Sequence, residues 1–449
     1  MSKADLKQKI LILFFFSMPW VDLLTSIMTR FIDFPVTIGV VVKGLSLAVA
    51  LIYVFFFSKC KYRKHTIFYV IAVCIFAALY FLTKPDIWQF SGLFTEVMYA
   101  FKYLYFPIML FCLYNVFHDL DIQTSLIKKI VSVNCLVYAA LLLIPYLTGT
   151  GFSSYVYDFD GNTGWFYAAN EIGAILIVLS ICIFDFMDNN NLKKILLAAP
   201  IIYSISTIGT KVSYLGIIAS VLISAVVFIF NNKKKRFLLP AILVSLLIVC
   251  CFGSVAVENM HILAGMDNLP SSTEELETEE DTEDTTEEDT EDGFGDGPYA
   301  SAADYIRDHK LLSLINRALS NRILFTLENF DSFPKGGAAS ILFGLGWADR
   351  TAVDYDYYKK VIEIDILDIL LHYGFVGFAV YFAPFIFLIR KYIKYVKEIP
   401  VASYAYIFAA LLILGISCIA GHILGAPAVS IYLILLILLV IRQVETKKQ

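Results

Sequence analysis

The chain has 449 residues, 59% of them hydrophobic and only 17% charged, with a formal net charge of −5. Apolar runs near 20 residues recur from end to end, each long enough to cross a bilayer core of ~30 Å as a helix. This composition excludes an ordinary soluble enzyme and predicts an all-α polytopic integral membrane protein.

Twelve spans fit the hydropathy, at about 10–29, 36–58, 66–82, 97–117, 126–148, 165–185, 195–209, 212–230, 237–257, 366–389, 400–421 and 423–441. The first is too long, and lacks the small-residue cleavage site, for a removed signal peptide. Orientation follows from Lys and Arg in the short loops. The segments "KQK", "KCKYRK", "LIKK", "NLKK", "NNKKKR", "RKYIKYVK" and "RQVETKK" fall on one side if both termini are cytoplasmic. On this reading residues 1–257 hold nine spans, 258–362 form one long extracytoplasmic loop, and 363–449 hold three more.

The loop divides by composition. Within 270–298, the stretch 274–296 carries 14 carboxylates and no basic residue; without them the balance of −5 becomes +9. Such a tract cannot bury enough apolar surface to fold and is expected to be a disordered spacer. Residues 299–330 have helical patterning, with Leu311, Leu314, Ile315 and Leu319 on one stripe, and 331–362 are rich in Gly and Tyr. A shorter outer loop, "GTGFSSYVYDFDGNTGW", is aromatic and polar, a composition suited to stacking on sugars. All eight cysteines fall in spans or on the cytoplasmic side, so no disulfide framework is expected. No spacing suggests a metal site, a nucleotide phosphate loop or any other cofactor, and no nucleic-acid partner is expected.

Asp22, Lys43, Lys102 and Glu171 lie inside predicted spans, all in the outer half. Intramembrane charge costs ~2.5–3.5 kcal/mol per residue on insertion scales, so it faces a bundle interior or a wet cavity. Lys43 and Lys102 either snorkel outward, pair with Asp22 and Glu171, or hold a ligand. Lys211, in the turn "GTKVSYLG", lies at the same level, with Arg30 just outside it. Several cations and carboxylates at one depth suit an anionic ligand plus a proton acceptor. In "VIEIDILDILLHYGFVG", Asp365, Asp368 and His372 share a helical face. If the helix begins only at Asp365, Glu363 is free to turn into a cavity. Asp365 and Asp368 have the alternative of first-turn residues favoured by the helix dipole, and His372 that of a hydrogen-bonded interior residue.

Three segments together resemble the O-antigen ligase and polymerase family, whose members transfer sugars from a polyprenyl-diphosphate carrier. "GWFYAANEIGAIL" (164–176) is similar to that family's Asn-containing start of a mid-chain span, which adds Asn170. "STIGTKVSYLGI" (206–217) is similar to its S-R-x-x-x-x-G turn, with Lys211 in place of the arginine. From 321 to 377 the chain looks like the family's loop arginine (Arg322), FGxG (Gly344, Gly346) and G-x-x-G (Gly374, Gly377). Where many members carry His-Asn eleven residues before the first Gly of G-x-x-G, this chain has Glu363-Ile364, a departure from the histidine that matters most for ligation.

The resemblance implies a GT-C-like membrane glycosyltransferase in a bacterial cytoplasmic membrane, active on the extracytoplasmic face; as no spacing suggests a metal site, the transfer is expected to be independent of metal. Its expected substrates are a polyprenyl-diphosphate-linked oligosaccharide and a growing glycan acceptor, with a flippase and a chain-length regulator as candidate partners. Glu363 is the first candidate base and Asp365 the second. Arg322 is assigned to catalysis, and Lys211, Arg317, Lys43, Lys102, Arg30, Asn170 and Glu171 to substrate binding. Polymerisation of repeat units is the leading reading. Ligation of a finished glycan, and a transporter or flippase of lipid-linked sugars, are the alternatives.

Overall fold

The computed structural model describes residues 3–32, 36–84, 90–154, 161–189, 191–232, 237–252, 254, 255, 257, 259, 302–319, 322–348, 362–421 and 423–446. The acidic tract and residues 349–361 of the Tyr-rich stretch lie outside them. Among the described residues the protein is almost entirely helical, as a chain must be where no water can satisfy its backbone.

Among the described residues ten helical runs are long and apolar enough to cross a membrane: Leu6–Phe31, Ile38–Phe57, Arg63–Leu82, Gly92–Asp119, Thr124–Thr148, Ala169–Asp188, Lys211–Asn231, Asp365–Glu398, Val401–Ile419 and Pro427–Thr446. They match ten of the twelve expected spans. The other two are shorter. The stretch expected at 195–209 is split into Leu192–Ile195 and Ala198–Ser206, with Pro200 in the first turn of the second piece. The stretch expected at 237–257 contains the helix Leu238–Phe252. Neither reaches the length of the other ten.

Following the chain up and down through these segments gathers two sets of ends. The loops at 58–64, 119–124, 188–194 and 393–403 share one end with the C-terminus. At the other end, the helices Lys3–Phe31 and Tyr404–Ala420 finish while Ile38–Ile52, Ala169–Leu179, Lys211–Asn231, Asp365–Tyr392 and Pro427–Thr446 begin. This second end also carries a short antiparallel hairpin, Phe152–Ser153 with Asn162–Gly164. The hairpin fixes the turn before Lys211. The Asn162 amide donates to the Thr207 carbonyl (2.9 Å) and the Ser154 hydroxyl to that of Ile208 (2.6 Å).

Further helices lie at Ala302–Asp308, Lys310–Ala318, Arg322–Lys335 and Gly337–Phe343. Leu311, Leu314 and Ile315 of the expected apolar stripe are exposed, at 72%, 52% and 41%.

The two glycine motifs meet in space. The Asp365–Tyr392 helix breaks at Gly374, whose φ is +68°. Residues 344–346 lie across the break: the Leu345 amide donates to Leu371 O (2.8 Å) and that of Gly346 to His372 O (3.2 Å). These bonds satisfy carbonyls exposed by the break, a requirement at membrane depth. A Cβ on Gly344 would stand 2.1 Å from His372 O, and one on Gly374 would stand 2.5 Å from Gly344 N. Neither position tolerates a side chain. Glu96, fully buried, completes the clasp by accepting from Trp347 N (2.5 Å), Ala348 N (2.9 Å) and Tyr80 OH (2.5 Å).

Candidate active site

The Asp365–Tyr392 helix begins at Asp365 with Ile364 as its N-cap, so Glu363 precedes the helix as the sequence allowed. Its backbone is left-handed, with φ +62°; Asp121 is the other described non-glycine residue with positive φ. Such a conformation costs of order 1–3 kcal/mol and persists only where the surroundings enforce it. Two neighbours enforce it here. Gly421 leaves no room for a Cβ, which would lie 2.3 Å from Glu363 O. Arg322 binds both ends of the residue: Nε donates to Glu363 O (3.1 Å) and Nη2 to Oε2 (3.0 Å), while Nη1 donates to Leu319 O (3.1 Å). Arg322 is itself 9% exposed, whereas 30% of the Glu363 side chain is exposed. The arginine is a fixed cation and the carboxylate is the part left facing outward.

It faces a cavity of about 930 Å³. One end is polar, lined by Ser154, Asn170, Glu171, Lys211, Arg322 and Glu363. Lys211 is the first residue of its helix, and the Thr210 Oγ1 N-cap accepts from Ser213 N (3.2 Å). The lysine charge therefore adds to the positive end of a 21-residue helix. The rest of the cavity is apolar and runs between two membrane-length helices, with Leu215 and Ala219 on one and Leu412, Ile416 and Ile419 on the other. Leu215 and Ile419 are 64% and 54% exposed on the outside of the bundle. The mouth of the groove therefore faces lipid. Cations at one end and a lipid-facing apolar channel behind it accommodate an anionic head with a hydrocarbon tail.

The other predicted residues are placed differently. Asp365, the second candidate base, is 1% exposed and does not line this cavity; its Oδ2 accepts from Ile423 N (2.9 Å) and Leu424 N (2.8 Å), fixing the turn after Gly421. Asp368 accepts from Ile362 N (3.2 Å), holding the residue before Glu363, and His372 is an interior histidine bonded to Gly346 O (2.7 Å). Both take the first-turn and interior roles weighed for them in the sequence. Lys43 is paired with Asp22 at 2.6 Å, buried, and Tyr138 OH donates to the other Asp22 oxygen (2.5 Å). Lys102 stands over the Tyr99 ring at 5.0 Å. Asp22, Lys43 and Lys102 line a second cavity of about 380 Å³, which shares Ala168 and Glu171 with the first. Arg30 stacks over Phe152 at 3.8 Å and lines neither cavity. Arg317 belongs to the Lys310–Ala318 helix, but its side chain lies outside the described residues.

Sequence reasoning missed Gly421, which moulds the Glu363 backbone, and Gly415, which lines the groove where a Cβ would meet nothing within 4 Å. A glycine in an apolar run gives no local sign of which neighbour approaches it. Glu96 was missed for another reason: it fell just before the expected span at 97–117, whereas the helix runs Phe90–Asp119.

No match to the chain was found among curated proteins. The model of the family described as "O-antigen ligase like membrane protein" matches residues 4–447, which includes every residue of both cavities. The chain belongs to the O-antigen ligase-like membrane protein family.

Proposed function

We propose that the chain is, as the family suggests, a membrane glycan-transfer enzyme acting on a lipid-linked glycan. It polymerises polyprenyl-diphosphate-linked oligosaccharide repeat units into a surface polysaccharide, such as a capsule, exopolysaccharide or O-antigen type, on the outer face of the cytoplasmic membrane. The observation that carries this reading is the Arg322–Glu363 pair on the wall of a cavity that also holds Lys211 and opens between two lipid-facing helices. The position of the basic loops at the opposite end of the bundle supports the outer face.

In this reading the polyprenyl tail lies along the apolar groove and the diphosphate between Lys211 and Arg322. Arg322 Nη2 is engaged with Glu363 Oε2, and an arriving diphosphate competes for the same guanidinium. Donor binding thus frees the carboxylate as it fills the arginine, while the Nε bond to Glu363 O keeps the backbone in place. The acceptor hydroxyl oxygen then attacks the anomeric carbon, the bond from that carbon to the phosphate oxygen breaks, and polyprenyl diphosphate leaves. The hydroxyl proton passes to Glu363. Fixed cations aimed at the charge growing on the leaving group supply the main stabilisation.

Reconstitution of the purified protein with its host's lipid-linked repeat unit tests this. A ladder of lipid-linked products spaced by one repeat unit supports polymerisation. Consumption of donor only when a different acceptor is supplied, giving a single transfer product, would identify a ligase. Movement of intact donor between leaflets without any new glycosidic bond would identify a transporter.

A further inference from the structure

The second cavity has a lining suited to a neutral sugar. Four serine and threonine residues line it: Thr25, Ser26, Thr29 and Thr37. Three of them spend their single proton on helix carbonyls: Thr25 Oγ1 on Val21 O (2.7 Å), Ser26 Oγ on Asp22 O (2.9 Å) and Thr29 Oγ1 on Thr25 O (3.0 Å). What these side chains offer the cavity is lone pairs. The Glu171 carboxylate adds a further acceptor, the Asp22 carboxylate is taken by Lys43 and Tyr138, and the Lys102 ammonium supplies donors beside the Tyr99 ring. A glycan hydroxyl, donor and acceptor at once, pairs with both kinds of group. Phe101, Phe166 and Tyr167 supply apolar and aromatic wall beside these acceptors. The volume, about 380 Å³, falls in the ~300–1,000 Å³ range of small-ligand sites.

The placement is as informative as the lining. Ala168 and Glu171 belong to both cavities, so the sugar-like chamber and the cation-lined chamber meet at one wall. Glu171 is in the first turn of the Ala169–Leu179 helix, at the end of the bundle where Glu363 lies. We infer that the second cavity holds the acceptor: the non-reducing end of a neutral glycan seats among Thr25, Ser26, Thr29 and Tyr167, with Glu171 at the passage through which its reacting hydroxyl meets Glu363. The inference rests on the glycan-transfer reading above and assigns the second substrate its own chamber.

The test measures binding of each half-substrate alone to the full-length protein in lipid nanodiscs. The probes are the oligosaccharide released by mild acid from the host's own lipid-linked repeat unit, and polyprenyl diphosphate without sugar. Thr29→Trp, which fills the chamber, should raise the Kd of the free oligosaccharide about tenfold or more, equal to a loss of about 1.4 kcal/mol. It should change the Kd of polyprenyl diphosphate less than twofold. Arg322→Ala should give the reverse pattern. Lys102→Met and Tyr167→Ala serve if Thr29→Trp fails to fold, and should shift only the oligosaccharide. Unchanged oligosaccharide binding in a folded chamber variant, or weakened diphosphate binding in its place, overturns the assignment. The two readings fail separately. A ladder of polymer from a chamber variant with normal acceptor KM sinks the acceptor chamber and leaves polymerisation standing. Oligosaccharide binding lost in the chamber variants, in a protein that makes no ladder, sinks polymerisation and keeps the chamber.

Discussion

Two ion pairs stand near the same end of the bundle, and they differ in what surrounds them. Lys43–Asp22 is closed: the contact is 2.6 Å, both side chains are under 10% exposed, and Tyr138 takes the remaining carboxylate oxygen. Arg322–Glu363 is open: the contact is 3.0 Å, the carboxylate side chain is 30% exposed on a cavity, and its backbone is held in a left-handed conformation. A pair saturated by its own protein fixes helices. A pair whose carboxylate is pushed into a cavity by a strained backbone is available to a ligand. The charges alone are the same in both; burial and backbone decide the role.

The difference can be broken experimentally. Asp22→Asn leaves Lys43 buried without its counter-charge, and removing one partner of a buried pair costs about 3–5 kcal/mol. The variant should melt earlier and express poorly, while Asp22→Leu with Lys43→Met should recover much of the thermal stability, because an apolar replacement of the whole pair removes the stranded charge. Equal melting of wild type and Asp22→Asn would show that the closed pair holds nothing. At the open pair the effect should fall on turnover. Arg322→Lys keeps the charge but loses the fork that binds both ends of Glu363, and donor turnover should drop roughly 10²–10³-fold with melting nearly unchanged. Retained turnover would mean that a point charge suffices.

Smaller effects should follow from the groove and the loop. Gly415→Phe projects a ring into the lipid-facing channel and should raise donor KM by about tenfold, with Gly415→Ala close to wild type, since a Cβ there meets nothing. A donor KM blind to the phenyl ring would place the tail elsewhere. Replacing residues 272–292 with a Gly/Ser linker should leave product length within about twofold, since the composition of the tract offers no apolar anchor; complete loss of product at normal protein level would contradict this.

The span pattern was legible because apolar length is written locally. Ten runs fall where hydropathy put them, and only the two shortest differ. The role of Glu363 was half legible. Its position before Asp365 allowed a turn out of the helix, but the turn is enforced by Gly421, 58 residues away, and by Arg322, 41 residues back. Asp365 and Glu363 are two positions apart and chemically alike, yet one caps the 423–424 turn and the other faces the cavity. Nothing in their spacing separates them. Depth left Lys43 and Lys102 as ligand cations or as partners of Asp22 and Glu171, and packing shows the first paired with Asp22 and the second over Tyr99. The glycine motifs were legible as motifs but not as a clasp, since the steric clash that demands Gly344 lies on His372.

The central claim is that the open pair carries the chemistry, with Arg322 on the donor and Glu363 on the acceptor proton. Glu363→Gln tests it most directly, because the amide keeps the shape and a hydrogen bond to Arg322 while removing the base. In reconstituted protein, polyprenyl diphosphate binding should stay within about twofold of wild type while turnover of the lipid-linked repeat unit falls roughly 10²–10⁴-fold. A Glu363→Gln protein that makes polymer of normal length at the normal rate would contradict the account.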